Sequence, residues 1–388
     1  MNLRSILVSS SNPLCDMLNI RYPIIQAGMA GQTTPELVAA VSNAGGLGIL
    51  GATRMIPEKL LDAVKKIKAI TTKPYGVNLW LGPPERNDQN MTAAQQFLDQ
   101  KVRKPLGLHM KSVSDNIKKN TDADELPPPS KSEQLKIILE EKVPIASFAM
   151  GDPVKHIDQI HSGGAKVMSM VTAVEDAVTV VRNGSDIVMA QGAEAGGHRS
   201  TLNIISDKEN LPLIGTMALV PQIVDAVKKE VQDRPIPVVA SGGIVDGRGL
   251  LAALALGASG VAIGTRFLVC RESGALQGYR ERLLASNETN TVVTRVFTGH
   301  PARVLRNSFV EEYAKSGLEP LAFPLQRIAA EDIYSNAQTK DNADYYPLYS
   351  GQGLRMLKRG QSAEDIIKEI VTEANEYLSL LSKEMKMH

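Results

Sequence analysis

Two glycine-rich segments in the second half of the chain have the composition of a phosphate-binding site. ASGGIVDGRG contains Ser241, Gly242 and Gly243, and IGT contains Gly264 and Thr265. Each segment precedes a predicted helix, where a phosphate gains backbone N–H donors and the positive end of a helix dipole. Glycine lets the backbone approach a ligand closely because it has no Cβ atom. We therefore predict that these two loops hold a phosphate group.

The segment AQGAEAGGHRS, residues 190–200, could bind a flat heterocycle and hold a proton beside it. The Gln191 amide can both donate to and accept from the edge of a heterocycle. Gly196 and Gly197 would let a planar ring approach the main chain, and His198 changes its charge near neutral pH. A surface histidine in a flexible glycine-rich turn is the alternative interpretation. The position of His198 near the phosphate loops favours a functional role.

Two further segments could form walls of the same site. QAGM contains Gln26, Gly28 and Met29, and YGVNLW contains Asn78 inside an otherwise apolar run. A polar side chain in such a run needs a partner, either in a neighbouring loop or on a bound cofactor. Met29 is consistent with simple packing as well as with a platform under a ring. We predict that these residues contact a cofactor.

Other chemistries find little support among the remaining reactive residues. Cys15 and Cys270 do not follow predicted strands, where a nucleophile would stand. No closely spaced histidine pair with a nearby carboxylate is present, so we expect no metal site. The other histidines have ordinary sequence surroundings; they are His109, His156, His161, His300 and His388.

Eight short apolar runs alternate with amphipathic stretches, which predicts repeated β/α units and a parallel sheet. The predicted strands are residues 23–27, 47–50, 75–80, 144–150, 166–171, 186–191, 235–243 and 260–265. Eight strands close a (β/α)8 TIM barrel. An open doubly wound sheet is the alternative, but it more often has a single glycine-rich turn after its first strand. Glycines follow several runs here, which favours the barrel and puts the candidate residues at one mouth.

Two parts of the chain lie outside this repeat within a single domain spanning residues 1–388. Residues 81–131 are polar and proline-containing, which predicts an insertion after the third strand that acts as a partly helical lid. Residues 267–388 form a mainly helical C-terminal extension. Its last stretch, from residue 362, is amphipathic, so it either packs beside the barrel or joins a partner chain in a homodimer.

Charge and composition exclude several classes of function. The chain has 43 Lys and Arg against 42 Asp and Glu, a formal net charge of +1, which gives no field for binding nucleic acid. No apolar run is long enough to span a membrane. Two cysteines in 388 residues fit a reducing compartment. The N-terminal segment resembles a transit peptide only faintly, so we expect a cytoplasmic protein, with mitochondrial import as the lesser alternative.

Taken together, these segments resemble the nitronate monooxygenase family, whose members are FMN-binding β/α barrels. The matching segments are PIIQAGMAG, NAGGLGILGA, GVNLW, AQGAEAGGHR, PVVASGGIVDGRGLLAALALGASGVAIGTRF and YSGQG. The resemblance implies that the flavin is surrounded by residues 26–29, Asn78, Gln191, Gly196 and Gly197. It implies that the FMN phosphate is held by Ser241, Gly242, Gly243, Gly264 and Thr265. It makes His198 the catalytic histidine and brings Gly351 and Gln352 over the ring.

The activity implied by the resemblance is oxidation of an alkyl nitronate, such as propionate 3-nitronate, by O2 to a carbonyl compound and nitrite. His198 would position the nitronate near flavin N5, or act as the base if a neutral nitroalkane is used. An FMN-dependent NAD(P)H enoyl-acyl-carrier-protein reductase shares the barrel, the phosphate loops and an EAGGH segment. It remains the alternative enzyme, and a flavin-binding protein without turnover is the alternative of another class.

Overall fold

The computed structural model describes residues 12–82, 91–111, 130–202 and 211–384. Its centre is a closed barrel of eight parallel strands in the order β1-β2-β3-β4-β5-β6-β8-β9, which confirms the predicted TIM barrel. The barrel strands are β1 (Ile24–Gln26), β2 (Leu47–Gly51), β3 (Tyr75–Trp80), β4 (Ile145–Ala149), β5 (Lys166–Val171), β6 (Ile187–Gln191), β8 (Val238–Ser241) and β9 (Gly260–Ile263).

Strand register aligns the functional candidates at one edge of the barrel. Gln191 is paired with Ser241 across β6 and β8, and Gly51 is paired with Asn78 across β2 and β3. Since the strands are parallel, their carboxyl ends and following loops share one mouth, where active sites of this fold lie. The strand register therefore places the candidate residues at one edge of the barrel.

Most of the helices form a layer around the barrel. These helices are Pro35–Asn43, Pro57–Ile70, Lys131–Glu140, Ile157–Ser162, Val174–Arg182, Thr216–Glu230 and Gly247–Ala255, and the short helix Pro13–Leu18 precedes β1. Local signals start several of them: the Thr34 side chain accepts from Leu37 N ahead of Pro35, as expected at a capped helix start. The strands bury apolar side chains on both faces, which explains why their sequences are continuous apolar runs.

The C-terminal extension is a second layer with its own aromatic core. Its helices are Thr265–Leu268, Gln277–Ala285, Ser308–Ser316, Leu325–Thr339 and Ala363–Glu384. It also contains two strands that the sequence did not lead us to predict, β10 (Thr291–Thr294) and β11 (Ala302–Leu305). They form an antiparallel sheet in the order β10-β11-β7, in which β7 (Gly197–His198) belongs to the loop after β6. This sheet ties the extension to the mouth of the barrel.

The C-terminal helix Ala363–Glu384 covers its own barrel. Ile366, Ile367 and Ile370 are fully buried. The helix also packs tightly on Gly247: a Cβ added to Gly247 would come within 2.3 Å of Ala374 N. The amphipathic stretch therefore packs beside the barrel over this length. In the described ranges, no helix combines the length and apolarity needed to cross a bilayer.

The described part of the insertion is helical and is anchored to the C-terminal extension. It contains Met91–Phe97, a π-helix at Leu98–Arg103 and the short helix Lys104–Leu106. Arg103 is fully buried and donates to Asp99 and Asp332, each at 2.9 Å. The rest of the predicted lid, residues 83–90 and 112–129, lies outside the described residues, as does the N-terminal segment before residue 12.

Candidate active site

A cavity of about 1150 Å³ opens at the carboxyl ends of the barrel strands. Ligand pockets commonly span about 300–1,000 Å³, so this one can hold a cofactor together with a small substrate. All of the predicted site residues except Gln26 line it: Gly28, Met29, Asn78, Gln191, Gly196, Gly197, His198, Ser241, Gly242, Gly243, Gly264 and Thr265. Gly351 also lines this cavity.

Gln26 is the predicted site residue that the structure does not bring to the cavity. Its side chain is fully buried, its Oε1 accepts from Ile49 N at 3.2 Å, and its Nε2 donates to Ile49 O at 3.3 Å. The amide is therefore used to join β1 to β2. Gln352 is likewise absent from the residues that line the cavity.

The two glycine-rich loops provide a narrow cradle at one side of the cavity. Gly242 and Gly243 have φ angles of 116° and 70°, a left-handed region that side chains rarely adopt. At Gly264 an added Cβ would meet only Met29 Sδ at 3.6 Å and Ala27 Cβ at 4.0 Å. A ligand can therefore approach the backbone closely at Gly264, whereas at Gly242 the position of a Cβ is taken by Thr216 Oγ1 at 2.9 Å.

The helix after the first of the two glycine-rich loops already has a carboxylate at its N-terminus. The helix Gly247–Ala255 is already capped, because the Asp246 carboxylate accepts from Arg248 N and Gly249 N. Its positive end is thus neutralised by a side chain. At this first loop an anion would depend on the loop N–H groups themselves, whereas the short helix Thr265–Leu268 after the second loop has no side-chain cap.

Asn78 and Gln191 are held by hydrogen bonds within the protein. Asn78 Nδ2 donates to Ser147 Oγ at 3.1 Å. The Asn78 side chain also packs tightly on Gly28, because a Cβ added to Gly28 would lie 2.8 Å from Asn78 Cβ. Gln191 Nε2 donates to His198 O at 2.8 Å, and its Oε1 accepts from Ser200 N at 3.0 Å. Gln191 therefore positions the loop that carries His198.

His198 lies on a paired strand and not in the flexible glycine-rich turn of the alternative interpretation. His198 is paired with Ala302 of β11. Its ring contacts Trp80 at a centroid distance of 4.6 Å and Tyr349 at 5.1 Å. Its Nε2 lies 2.9 Å from Thr298 Oγ1. His198 is 8% exposed and lines the cavity.

The environment of His198 favours the neutral imidazole. Burial lowers its pKa well below 6.5, and the nearby His300 and Arg327 lower this pKa further. Desolvation penalises the charged form, and like charges add to that penalty. His198 can therefore offer one N–H donor and one bare ring nitrogen at neutral pH.

His300 lies beside His198, a contact that the sequence analysis did not predict, although His300 does not itself line the cavity. It is buried, its ring centroid lies 5.7 Å from that of His198, and its Nε2 donates to Arg199 O at 2.7 Å. Burial lowers its pKa to about 4. Thr298 was missed for the same reason: both lie about a hundred residues from His198 along the chain, and only the β7–β11 pairing brings them close.

Part of the cavity wall carries several charged and unsatisfied groups. Arg54 and Arg327 both pair with Glu331, at 3.3 Å and 2.8 Å. Lys59 and Lys131 also line the cavity, so cations outnumber carboxylates there. Among the described residues, Gln32 Oε1 and Thr53 Oγ1 are buried without a hydrogen-bond partner. They line the cavity and could each accept a hydrogen bond from a ligand.

This arrangement suits a phosphate-bearing heterocycle better than metal or thiol chemistry. The described residues contain no group of three or more His, Cys, Asp or Glu that could hold a metal ion. Burial raises the pKa of Cys15 and of Cys270 to about 12, so neither is a ready nucleophile. Apolar walls, a glycine cradle, unsatisfied acceptors and a neutral histidine together fit a flat, partly hydroxylated cofactor and an anionic substrate.

Comparison with known proteins points in the same direction. The family model described as nitronate monooxygenase matches residues 11–373. A probable nitronate monooxygenase of Staphylococcus saprophyticus is 39% identical over 375 residues, covering 95% of this chain and 99% of that protein. A homologous protein of Staphylococcus haemolyticus with the same name is 37% identical and covers 96% and 99%.

Two solved structures are similar over nearly the whole chain. Nitroalkane oxidase from Streptomyces ansochromogenes has a TM-score of 0.80 and 31% identity, covering 95% of this chain and 99% of that one. FabK from Thermotoga maritima has a TM-score of 0.74 and 31% identity, covering 97% and 99%. Both likenesses include the barrel and the extension that closes its mouth.

Proposed function

Because this chain belongs to the nitronate monooxygenase family of flavin-dependent oxidoreductases, we propose that it uses FMN and O2 to oxidise small alkyl nitronates to carbonyl compounds and nitrite, with His198 positioning the nitronate. The observation that supports this most directly is the buried, neutral His198 in the same cavity as the glycine cradle. In the net reaction, two nitronates and one O2 give two carbonyl compounds and two nitrite ions. Propionate 3-nitronate is a suitable test substrate.

The residues of the cavity fit FMN. The N–H groups of the loops at Gly242, Gly243, Gly264 and Thr265 would hold its phosphate. Gln32 Oε1 and Thr53 Oγ1, which lack partners within the described residues, could accept from the hydroxyls of its sugar-alcohol chain. The other predicted residues that line the cavity would surround the ring: Gly28, Met29, Asn78, Gln191, Gly196 and Gly197.

When bound, FMN supplies an electron acceptor that O2 can reoxidise. The chain's own residues then have to bind the nitronate, keep it oriented and exclude water. Trp80 and Tyr349 enclose the His198 ring on two sides. The cationic side chains of the wall, Arg54 and Arg327 among them, attract an anionic substrate into the cavity.

His198 has a different task for a nitronate than for a nitroalkane. A nitronate is already an anion, so it needs a hydrogen-bond donor and not a base. A neutral imidazole supplies one N–H for a nitronate oxygen. A neutral nitroalkane would instead require the bare ring nitrogen to accept the α-proton, and the lowered pKa of His198 makes it a weak base. Preformed nitronates are therefore the proposed substrates.

One anaerobic experiment tests the proposal against its alternatives. The FMN-loaded protein is mixed with propionate 3-nitronate, with an alkyl nitronate, or with NADH or NADPH, and the loss of flavin absorbance is followed. Rapid bleaching by a nitronate alone supports the proposal. Rapid bleaching by NADH or NADPH without bleaching by a nitronate would support the enoyl-acyl-carrier-protein reductase alternative. No bleaching would leave a binding protein without turnover.

A further inference from the structure

Tyr349 and His198 lie on one face of the small sheet at the barrel mouth. His198 of β7 is paired with Ala302 of β11. Tyr349 forms a bridge with Val304, two residues further along the same strand. Alternate residues of a strand point to the same face, and residues paired across two strands share a face. The register therefore brings the two rings together, and their centroids are 5.1 Å apart.

The phenol hydroxyl of Tyr349 has a hydrogen that the described residues do not use. Tyr349 lines the cavity, and its Oη forms no hydrogen bond to any residue that the structure describes. The backbone of Tyr349 is held in place, because its carbonyl oxygen accepts from the Tyr279 hydroxyl. A phenol hydroxyl can donate one hydrogen bond. It is therefore available to a ligand in the cavity.

Two guanidinium groups and one carboxylate surround this hydroxyl. Burial raises the pKa of Tyr349 above 10, although the charges of Arg327 and Arg54 lower it, so the phenol keeps its hydrogen at neutral pH. Glu331 pairs with Arg54 at 3.3 Å and with Arg327 at 2.8 Å. Two cations against one carboxylate leave an excess of positive charge beside the hydroxyl, which favours an anionic ligand there.

A nitronate requires more donors than His198 alone can supply. Its two oxygens share the negative charge, and a neutral imidazole can donate to one of them. Once the substrate has displaced water from the cavity, the second oxygen loses a hydrogen bond unless the protein provides a donor. Arg54 and Arg327 are paired with Glu331, whereas the Tyr349 hydroxyl has no such partner.

We propose that Tyr349 is a second substrate-binding residue, whose hydroxyl donates to the nitronate oxygen that His198 does not hold. The shared face with His198, the unused hydrogen and the neighbouring guanidinium groups support this assignment. The identity of the anion rests on the proposed function. A neutral nitro group is a weaker acceptor than a charged nitronate, so the same hydroxyl favours nitronates over nitroalkanes.

Tyr349→Phe removes the hydroxyl and keeps the ring against His198. Tyr345→Phe is the matched control, at a half-buried tyrosine that does not line the cavity. The first readout is kcat/KM of the FMN-loaded protein for propionate 3-nitronate and for its parent nitroalkane. The second needs no turnover: nitrite, which has the same pair of oxygens as the nitronate, is titrated anaerobically while the flavin absorbance is followed.

We expect kcat/KM for the nitronate to fall about 10- to 100-fold in Tyr349→Phe, as for a lost hydrogen bond to a charged group. The Kd of nitrite should rise about tenfold or more for the same reason. The kcat/KM for the neutral nitroalkane should stay within about threefold, and the affinity for FMN should not change. Tyr345→Phe should match the wild type in every measurement.

Unchanged values of kcat/KM and of the nitrite Kd in Tyr349→Phe would overturn the inference. Equal losses for the nitronate and the nitroalkane would also overturn it, because they would indicate a displaced ring and not a lost donor to charge. Weaker FMN binding with an unaltered nitrite Kd would assign the hydroxyl to the cofactor instead.

A crystal structure of the wild-type, FMN-loaded protein with nitrite tests the contact without any variant. We expect a nitrite oxygen within hydrogen-bond distance of Tyr349 Oη, and a nitrite bound without this contact would contradict the inference. If nitrite binding depends on the hydroxyl but the wild type oxidises no nitronate, the proposed function fails and the assignment of the donor stands.

Discussion

The indole of Trp80 meets the imidazole of His198 edge-on, with ring centroids 4.6 Å apart and ring planes inclined by 64°. Trp80 ends β3, and His198 lies in the loop after β6, so this contact joins opposite sides of the barrel mouth. It shields the imidazole from water, and burial is the largest cause of its lowered pKa. The contact therefore links the shape of the mouth to the protonation state of the histidine.

Removal of the indole should make His198 easier to protonate. In Trp80→Ala, water enters beside the ring, so the pKa of His198 should rise toward 6.5, which an NMR titration of the His198 ring measures. We expect kcat/KM for a nitronate to fall about tenfold, the cost of about 1.4 kcal/mol in positioning. Trp80→Phe is the control that keeps an aromatic edge. An unchanged His198 pKa in the alanine variant would contradict this role of the indole.

Substitution of the histidine itself should separate cofactor binding from chemistry. His198→Asn keeps a small polar side chain at the end of β7, so FMN should still bind. Loss of the imidazole donor should lower kcat for nitronate oxidation about 10²- to 10³-fold, as for other lost donors to developing charge. His109→Asn, at an exposed histidine in the insertion, is the matched control. Full activity of His198→Asn would remove this residue from the mechanism.

The cradle can be tested with two glycines that share a backbone conformation. Gly243 and Gly360 have φ angles of 70° and 78°, but only Gly243 lines the cavity. Alanine at either position should lower the free energy of unfolding by about 1–2 kcal/mol, because both adopt the left-handed region. Only Gly243→Ala should also weaken FMN binding, by about tenfold or more in a titration followed by flavin fluorescence. Equal FMN affinity in both variants would place the phosphate elsewhere.

The barrel could be predicted from the sequence because each strand carries a local signal. The runs at 75–80 and 166–171 coincide with β3 and β5. The run at 235–243 proved longer than β8 (Val238–Ser241), since Pro235 and Pro237 lack the N–H that a central strand needs and two glycines turn the chain at its end. The fold could be predicted because an apolar run followed by an amphipathic stretch is repeated eight times.

The parts of the site that were missed depend on long-range pairing. β10 and β11 are four residues long, and β7 has two residues, so no alternation could reveal them. Thr298, His300 and Tyr349 approach His198 only through this sheet and the chain that follows it. Gln26 was misplaced for a related reason: sequence shows a polar residue at a strand end but not which way its amide turns.

Acid should destabilise the protein through His300. Its pKa is about 4 in the folded protein and 6.5 when unperturbed, so below pH 6.5 the unfolded chain binds more protons than the native one. The stabilisation is complete above pH 6.5 and is lost as the pH falls toward 4. The full shift corresponds to about 3 kcal/mol, of which about 2 kcal/mol is lost by pH 5.

Urea unfolding at pH 7 and pH 5 measures this loss. His300→Gln removes the titrating group and keeps an amide that can donate to Arg199 O, so its unfolding free energy should depend less on pH over this interval by about 2 kcal/mol. His161, which is half-exposed and bonded to Asp186, has no comparable burial. Identical pH dependence in the wild type and in His300→Gln would show that His300 does not carry this linkage.

Preformed nitronates should be used far better than the parent nitroalkanes, and Arg327 should set part of the difference. The positive charge of Arg327 lowers the pKa of His198, so the imidazole donates well but abstracts an α-proton poorly. We expect kcat/KM for a nitronate to exceed that for its nitroalkane by about 10² or more at the same pH.

In Arg327→Gln the pKa of His198 should rise, and the ratio of the two kcat/KM values should become smaller. Arg327→Lys keeps the charge and should preserve the ratio. Parallel steady-state assays with freshly dissolved nitronate and with equilibrated nitroalkane measure it. A ratio near one in the wild type would mean that His198 works as an effective base, which its buried position beside two other basic groups argues against.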